Sequence, residues 1–231
     1  MKRHQLYTEE PQNPFALSVG DLMASLLLIF ILLLSSTLLR LQDEFENKSQ
    51  IAERYTAIKA DIYNELMSEF ERDLQKWNAE IDPKDLSFRF KEPDVLFETN
   101  EYEIRDKFKV ILDDFFPRYI QVLSKQKFRE NIEEIRIEGH TDNRGGYYYN
   151  MELSQNRTRS VLNYVLEETM IEVGEKDWVK SNLTANGLSF SKPIADNQTE
   201  EGRNLNRRVE FKIRTNAEKQ IDEILKFNVK D

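Results

Sequence analysis

The chain is 231 residues long, 32% of them charged, with a formal net charge of −9 at pH 7. That length accommodates one membrane helix, a connector and one domain of ordinary size. The acidic balance, with no basic stripe to neutralise phosphates, excludes nucleic acid as a direct partner. The absence of cysteine excludes disulfides, thiolate metal ligands and a thiol nucleophile.

Residues 1–14 are polar and carry Pro11 and Pro14, which bar a helix ahead of the next stretch. From Phe15 to Leu39 the chain is apolar, and it is uncharged from Leu22 onward. As a helix this stretch measures roughly 37 Å, against a hydrocarbon core of about 30 Å, so residues 15–40 are predicted to be a transmembrane helix. A cleaved signal peptide has a shorter apolar region, about 7–15 residues, ending in a small-residue cleavage site. An uncleaved anchor is therefore expected. One acid, Asp21, sits just inside the start of the span. A carboxylate there costs about 2.5 kcal/mol or more to insert, which makes it a functional candidate by default. The plainer reading is an acid snorkelling from the helix end, since Asp21 lies away from the bilayer centre. Lys2 and Arg3 before the span, against Arg40 after it, favour a cytoplasmic N-terminus.

Beyond the span, Leu41, Phe45, Ile51, Tyr55, Ile58, Ile62, Leu66, Phe70, Leu74, Trp77 and Ile81 recur at intervals of mostly three or four. The spacing predicts a helical connector over residues 41–82, continuous with the membrane helix and ended by Pro83. Its apolar stripe needs a cover. A second copy of the same helix is the favoured partner, giving a homodimer; folding back onto the C-terminal domain is the alternative. Residues 83–231 read as mixed α and β. Leu86–Phe90 alternates as a strand, Val95–Phe97 is a second short one, and Tyr102 to about Arg129 is helical with a break expected at Pro117. Ile135–Glu138 is a strand, Leu153 to about Val173 an amphipathic helix, Leu183–Leu188 the next strand region and Arg207–Arg214 the last strand. Residues 217–227 suit a terminal helix. The class is α+β, a compact α/β sandwich behind an N-terminal anchor.

Three spaced motifs carry the chemistry. Gly139-His-Thr-Asp142 with Gly145, then Asn150-x-x-Leu153-Ser154-x-x-Arg157, then Asn206-Arg207-Arg208-Val-Glu-Phe211 resemble, in that order, the OmpA-like peptidoglycan-binding domain. Val95–Asn100 resembles that family's opening strand. The resemblance implies a small sheet with helices on one face and a cradle for the diaminopimelate end of a peptidoglycan stem peptide. Such a ligand is zwitterionic and calls for one acid and one fork-shaped cation. By the resemblance, Asp142 takes the ammonium and Arg157 the carboxylate. Thr141, Asn143, Asn150 and Leu153 shape the pocket, and Tyr149 lines its rim. Of Arg207 and Arg208, one is expected to be structural and paired to an acid. His140 reads as a packed loop residue; with His4 it makes no metal site alone, and no cofactor is expected. Ser154, His140 and Asp142 are the ingredients of a hydrolytic triad. However, no Gly-x-Ser-x-Gly elbow is present and Ser154 reads as a helix N-cap, so no enzyme is expected.

The span has its own resemblance. Val19-Gly-Asp-Leu-Met-Ala-Ser, opening a Leu- and Ile-rich helix, is similar to the single span of MotB-type stator subunits, which also carry an OmpA-like domain after a helical connector. The resemblance implies an inner-membrane protein with its C-terminal domain in the periplasm, a proton-accepting Asp21, and a ring of MotA-like multi-span subunits as partner. Flagellar MotB usually has Trp after the motif Asn, where Met151 stands here. The run Tyr147-Tyr148-Tyr149 and the long connector resemble instead the ZorB-type subunits of Zorya anti-phage systems, whose ring partner is of the ZorA type.

Overall fold

The computed structural model describes residues 14–91 and 96–216. Helix α1 spans Pro14–Leu74. It is followed by β1 (Ala79–Asp82), β2 (Ser87–Phe90), α2 (Asp106–Leu123), α3 (Gln126–Arg129), β3 (Ile132–Gly139), α4 (Tyr147–Glu167), α5 (Val173–Asn182), β4 (Leu183–Gly187), α6 (Glu200–Asn206) and β5 (Val209–Thr215). The strands form one mixed sheet in the order β1-β2-β5-β3-β4. Only β3 and β4 pair in parallel; the other neighbours are antiparallel.

The chain divides into two compact units, residues 1–50 and 51–231. In the first, every side chain from Ser18 to Leu39 is exposed. A helix that is apolar all round has no favourable state in water by itself, and this one is long and apolar enough to cross a membrane. Two of its hydroxyls donate within the helix, Ser25 Oγ to the Asp21 carbonyl and Thr37 Oγ1 to the Leu34 carbonyl, both at 2.8 Å.

In the second unit, Ile62, Leu66 and Phe70 of α1 are fully buried at a spacing of four, one stripe of the helix. They enter the core of their own domain. The Phe70 ring lies 5.4 Å from Phe88 of β2 and 5.5 Å from Phe115 of α2. The expected self-pairing of the connector is therefore corrected over this half: the domain itself covers the stripe. Polar contacts fix the docking. Arg118 donates to Glu69 Oε1 at 2.7 Å and Asp73 Oδ2 at 3.0 Å while stacking 4.8 Å from the Phe70 ring centroid. Lys125 and Lys127 both hold Glu65, and their hydrogen bonds pull its carboxyl down to about 2.

α1 ends at Leu74, short of the expected position 82. Asn78 takes a left-handed φ of 46°, the chain reverses, and Ala79–Asp82 pairs with β2. Trp77 and Ile81 are buried, as their place in the apolar series demanded, but in a turn and a strand. On the sheet the alternation is orderly. Phe88, Ile137 and Ile135 register with Phe211 and Ile213 on the core face, while Arg89 and Arg136 register with Glu210 and Lys212 on the other. Pro117 does not break α2; the helix stops only at Ser124. The lost backbone hydrogen bond is outweighed by burial of Phe115, Phe116, Tyr119 and Ile120 on both sides of it. The Val95–Phe97 strand reduces to a single bridge between Phe97 and Ile104, with Val95 outside the described residues. α4 starts six residues before the expected Leu153, and α5 and α6 were not anticipated. The 217–227 helix lies outside the described residues.

Phe70→Ala opens a cavity where α1 meets the sheet and is expected to cost about 3–5 kcal/mol. Urea unfolding of the full chain in detergent, followed by fluorescence of Trp77, 6.0 Å from Phe70, measures it.

Candidate functional site

The parallel strands β3 and β4 end together at Gly139 and Gly187, which are register partners. α4 lies close over both. A Cβ at Gly187 would stand 2.2 Å from the Gln155 backbone nitrogen, and one at Gly139 would stand 2.7 Å from Thr158 Cγ2 and 2.9 Å from the Ser154 carbonyl oxygen. Only glycine permits this approach, and it sets α4 beside the loop that leaves β3. Ser154 completes the joint. It is buried in the second turn of α4, donates to the Met151 carbonyl and accepts from Ser189 N, both at 3.0 Å. The expected N-cap role is therefore wrong, because the cap position is Gly146. Its hydroxyl is bound up in the helix-to-loop joint, and the ring nitrogens of His140 have no hydrogen-bond partner, so the triad ingredients do not connect.

The loop 140–146 is tied to itself. Asp142 Oδ1 accepts from Arg144 N at 2.8 Å, an Asx-type turn. Asn150 Nδ2 donates to the Arg144 and Gly146 carbonyls at 2.8 and 3.3 Å. Asn150 is thus a clamp on the loop, buried to 3% exposure. Asn206 does the same for the segment before α6, its side chain bonding Ile194 N, Ala195 N and the Ala195 carbonyl.

An open pocket of about 220 Å³ lies between this loop, α4 and the 97–100 loop. It brings together Thr141, Asp142, Tyr149, Asn150, Leu153 and Arg157, six of the seven expected residues; Asn143 does not line it. Phe97, Glu98, Thr99, Asn100, Arg144 and Arg207 also line it. The signal for the first four was present in the Val95–Asn100 motif, which was read as a strand when it serves as a wall. Arg157 is half-buried. Its Nε donates to the Glu101 carbonyl at 2.8 Å, its Nη2 to the Glu98 carbonyl at 3.1 Å, and its guanidinium stacks 4.8 Å from the Phe97 ring centroid. No carboxylate pairs with it among the described residues. Burial pushes its pKa down to about 10, which still leaves it charged at neutral pH. A desolvated guanidinium held by carbonyls, with Nη1 unspent, is a receptor for an anionic oxygen.

Asp142 is differently placed. Arg207 Nη1 reaches its Oδ2 at 2.5 Å, so this carboxylate already has a cationic partner within the chain. Arg208 is the structural member of the arginine pair, 4% exposed and bonded to Glu210 and to the Asn206 and Lys192 carbonyls. Neither arginine lies in a strand, since β5 begins at Val209. Behind the pocket, Glu138, His140 and Glu210 lie buried together in a donor set of the kind that holds metals. Their positive partners are already supplied by the chain: Arg89 and Arg208 both donate to Glu210 Oε1, and Arg136 lies 3.5 Å from Glu138. His140 Nε2 is 3.7 Å from Glu138, beyond hydrogen-bond reach, and burial holds its pKa below the usual histidine value.

The OmpA family model matches residues 96–207, the segment that holds the glycine-backed helix and every residue lining this pocket. The whole chain is 44% identical over 229 residues to Zorya protein ZorB from Escherichia coli, covering 96% of each chain, and it belongs to the ZorB family. It is 37% identical over 115 residues to outer membrane protein Omp38 of Acinetobacter baumannii, covering 50% of this chain and 28% of that one. Among solved structures, a putative MotB-like protein from Desulfovibrio vulgaris superposes with a TM-score of 0.52 at 25% identity, covering 72% of this chain and 94% of that one.

Two outcomes test this geometry. Gly187→Ala forces α4 off the strand ends and is expected to cost about 1–3 kcal/mol in thermal unfolding; Gly174→Ala, with nothing within 4 Å of the added carbon, serves as the neutral control. His140 makes stability pH-dependent with a definite sign. The unfolded chain takes up a proton near the ordinary value of 6.5 and the folded chain only below it. Between those two values the unfolded state binds more protons, so stability falls as pH drops. His140→Gln is expected to flatten that fall, read as the difference in urea midpoint between about pH 7 and about pH 5.

Proposed function

We propose that this chain is a single-pass inner-membrane, stator-like subunit that grips peptidoglycan and belongs to an ion-driven motor complex acting in anti-phage defence. The observation that carries the wall-binding part is Arg157, a partly desolvated guanidinium without a carboxylate partner, facing a small pocket that also holds the Asp142 carboxylate. A zwitterionic diaminopimelate end suits that pair: its carboxylate meets Arg157, and its ammonium shares Asp142 with Arg207. Membership of the ZorB family and likeness to a MotB-like fold support the same reading.

The motor part rests on Asp21. A passive tether between membrane and wall gains nothing from an acid inside its anchor, whereas a subunit that passes protons needs a group that binds and releases them. In the proposed arrangement the N-terminus is cytoplasmic and the C-terminal domain periplasmic. Two copies stand inside a ring of MotA-like, ZorA-type multi-span subunits, and Asp21 is the proton acceptor. The domain makes no bond to be broken; its role is to hold the complex still while the ring turns.

Arg157→Ala is expected to weaken retention of the detergent-solubilised chain on diaminopimelate-type peptidoglycan by about ten- to a hundredfold, the scale of one charged hydrogen-bonded pair. Undiminished retention sinks the pocket assignment. Asp21→Asn keeps size and polarity but cannot titrate. Cells carrying it are expected to lose protection against phage while the protein still reaches the membrane and binds the wall; full protection would leave the tether reading standing.

A further inference from the structure

Arg207 is shared between two acids, and only one of them lines the pocket. Its Nη1 donates to Asp142 Oδ2 at 2.5 Å. Its Nη2 bonds Asn204 Oδ1 and lies 3.4 Å from Glu200 Oε1, both on α6. The two oxygens of Glu200 are unequally used. Oε2 accepts from Arg203 Nη2 at 2.6 Å and from Arg144 Nη2 at 2.7 Å. Oε1 has the 3.4 Å contact with Arg207 alone among the described residues. Shortening that contact to the length of a charge-assisted hydrogen bond takes about half an ångström. The hydrogen bond from Arg203 holds the Glu200 carboxyl below the usual carboxylate value, so it stays charged at neutral pH. Arg144, with a side chain 62% exposed, is free to turn to solvent if Glu200 takes a stronger partner.

Within the pocket, Asp142 has both oxygens engaged, Oδ1 by the Arg144 N–H and Oδ2 by Arg207. An ammonium that meets this carboxylate competes with a guanidinium already in place. Expelling Arg207 without a new partner would leave a second unpaired cation beside Arg157, which like-charge repulsion disfavours. We propose that Glu200 is a positioning residue for ligand binding: it offers Arg207 a second acid, so that Asp142 is released to the ammonium of an incoming zwitterion. This inference rests on the wall-binding reading of the pocket and adds a residue outside the pocket lining. The forked head of arginine suits the exchange. Nη2 tightens on Glu200 as Nη1 slackens on Asp142, and the cation is paired throughout. A ligand that brings a carboxylate alone leaves Arg207 on Asp142 and gains nothing from Glu200. The exchange therefore favours ligands that carry the ammonium.

The test compares two ligands on the full chain in detergent: a stem peptide ending in diaminopimelate, and its analogue with hydrogen in place of the terminal amine. Glu200→Gln is expected to weaken the amine-bearing peptide about two- to fivefold at low salt, the scale of an exposed ion pair. It should leave the amine-free analogue unchanged, which a merely structural role for Glu200 would not do. The loss should vanish in an Arg207→Gln background, since Glu200 acts through Arg207. Equal weakening of both ligands, weakening of neither, or the same loss with and without Arg207 overturns the exchange. Where Arg207→Gln fails to fold, the two-ligand comparison on Glu200→Gln decides alone. Arg157→Ala separates the two ideas: it should weaken both ligands, and if it weakens neither, the pocket reading fails independently of Glu200.

Discussion

The structure turns on one close approach, that of α4 to the paired ends of β3 and β4. A helix normally stands off a sheet by the length of the side chains between them. Here Gly139 and Gly187 remove two of those side chains at neighbouring positions, and the backbone around Ser154 and Gln155 moves into the space. The sequel is geometric. The loop that leaves β3 has to pass beside the first turns of α4, so Asp142 on the loop and Arg157 on the helix come to face a common pocket although 15 residues separate them in sequence. Ser154 and Asn150, which a sequence reader assigns to capping and binding, are the fastenings of that joint.

The electrostatic arrangement follows from the same packing. Most cations of the domain have acidic partners: Arg89 with Asp82 and Glu210, Arg208 with Glu210, Arg118 with Glu69 and Asp73, Arg207 with Asp142. Arg157 has carbonyls and an aromatic face instead. Carbonyl oxygens satisfy N–H groups without neutralising the charge, so the cation remains available to an incoming anion. In a protein of net charge −9, the pocket thus holds a partly desolvated guanidinium without a carboxylate partner among the described residues.

α1 serves two environments with one helix. Its first part has an apolar surface on all sides, and its last turns have a stripe of Ile62, Leu66 and Phe70. Periodicity distinguishes the two, and on that ground an anchor and an amphipathic connector were both legible. What covers the stripe was not. An apolar series at a spacing of three to four fits a second helix and a sheet equally well, and only the positions of Phe88 and Phe115 show that the sheet domain takes it. The same limit explains the end of the helix: Trp77 and Ile81 continue the series because burial, not helicity, is what the spacing reports.

The sequence by itself determined the anchor with its acid, the α+β class, the alternation of β2 and β5, and the motif residues that meet at the pocket. These are local matters, set by apolar length, by period and by residue chemistry within short windows. Tertiary structure alone decided that Asn143 stands outside the pocket, that Phe97–Asn100 form its wall, that Arg207 already holds Asp142, and that the three tyrosines begin a helix with Phe190 against Tyr147. The Tyr147–Phe190 and Arg207–Asp142 contacts join residues 43 and 65 apart in sequence, and no short window of sequence contains both partners.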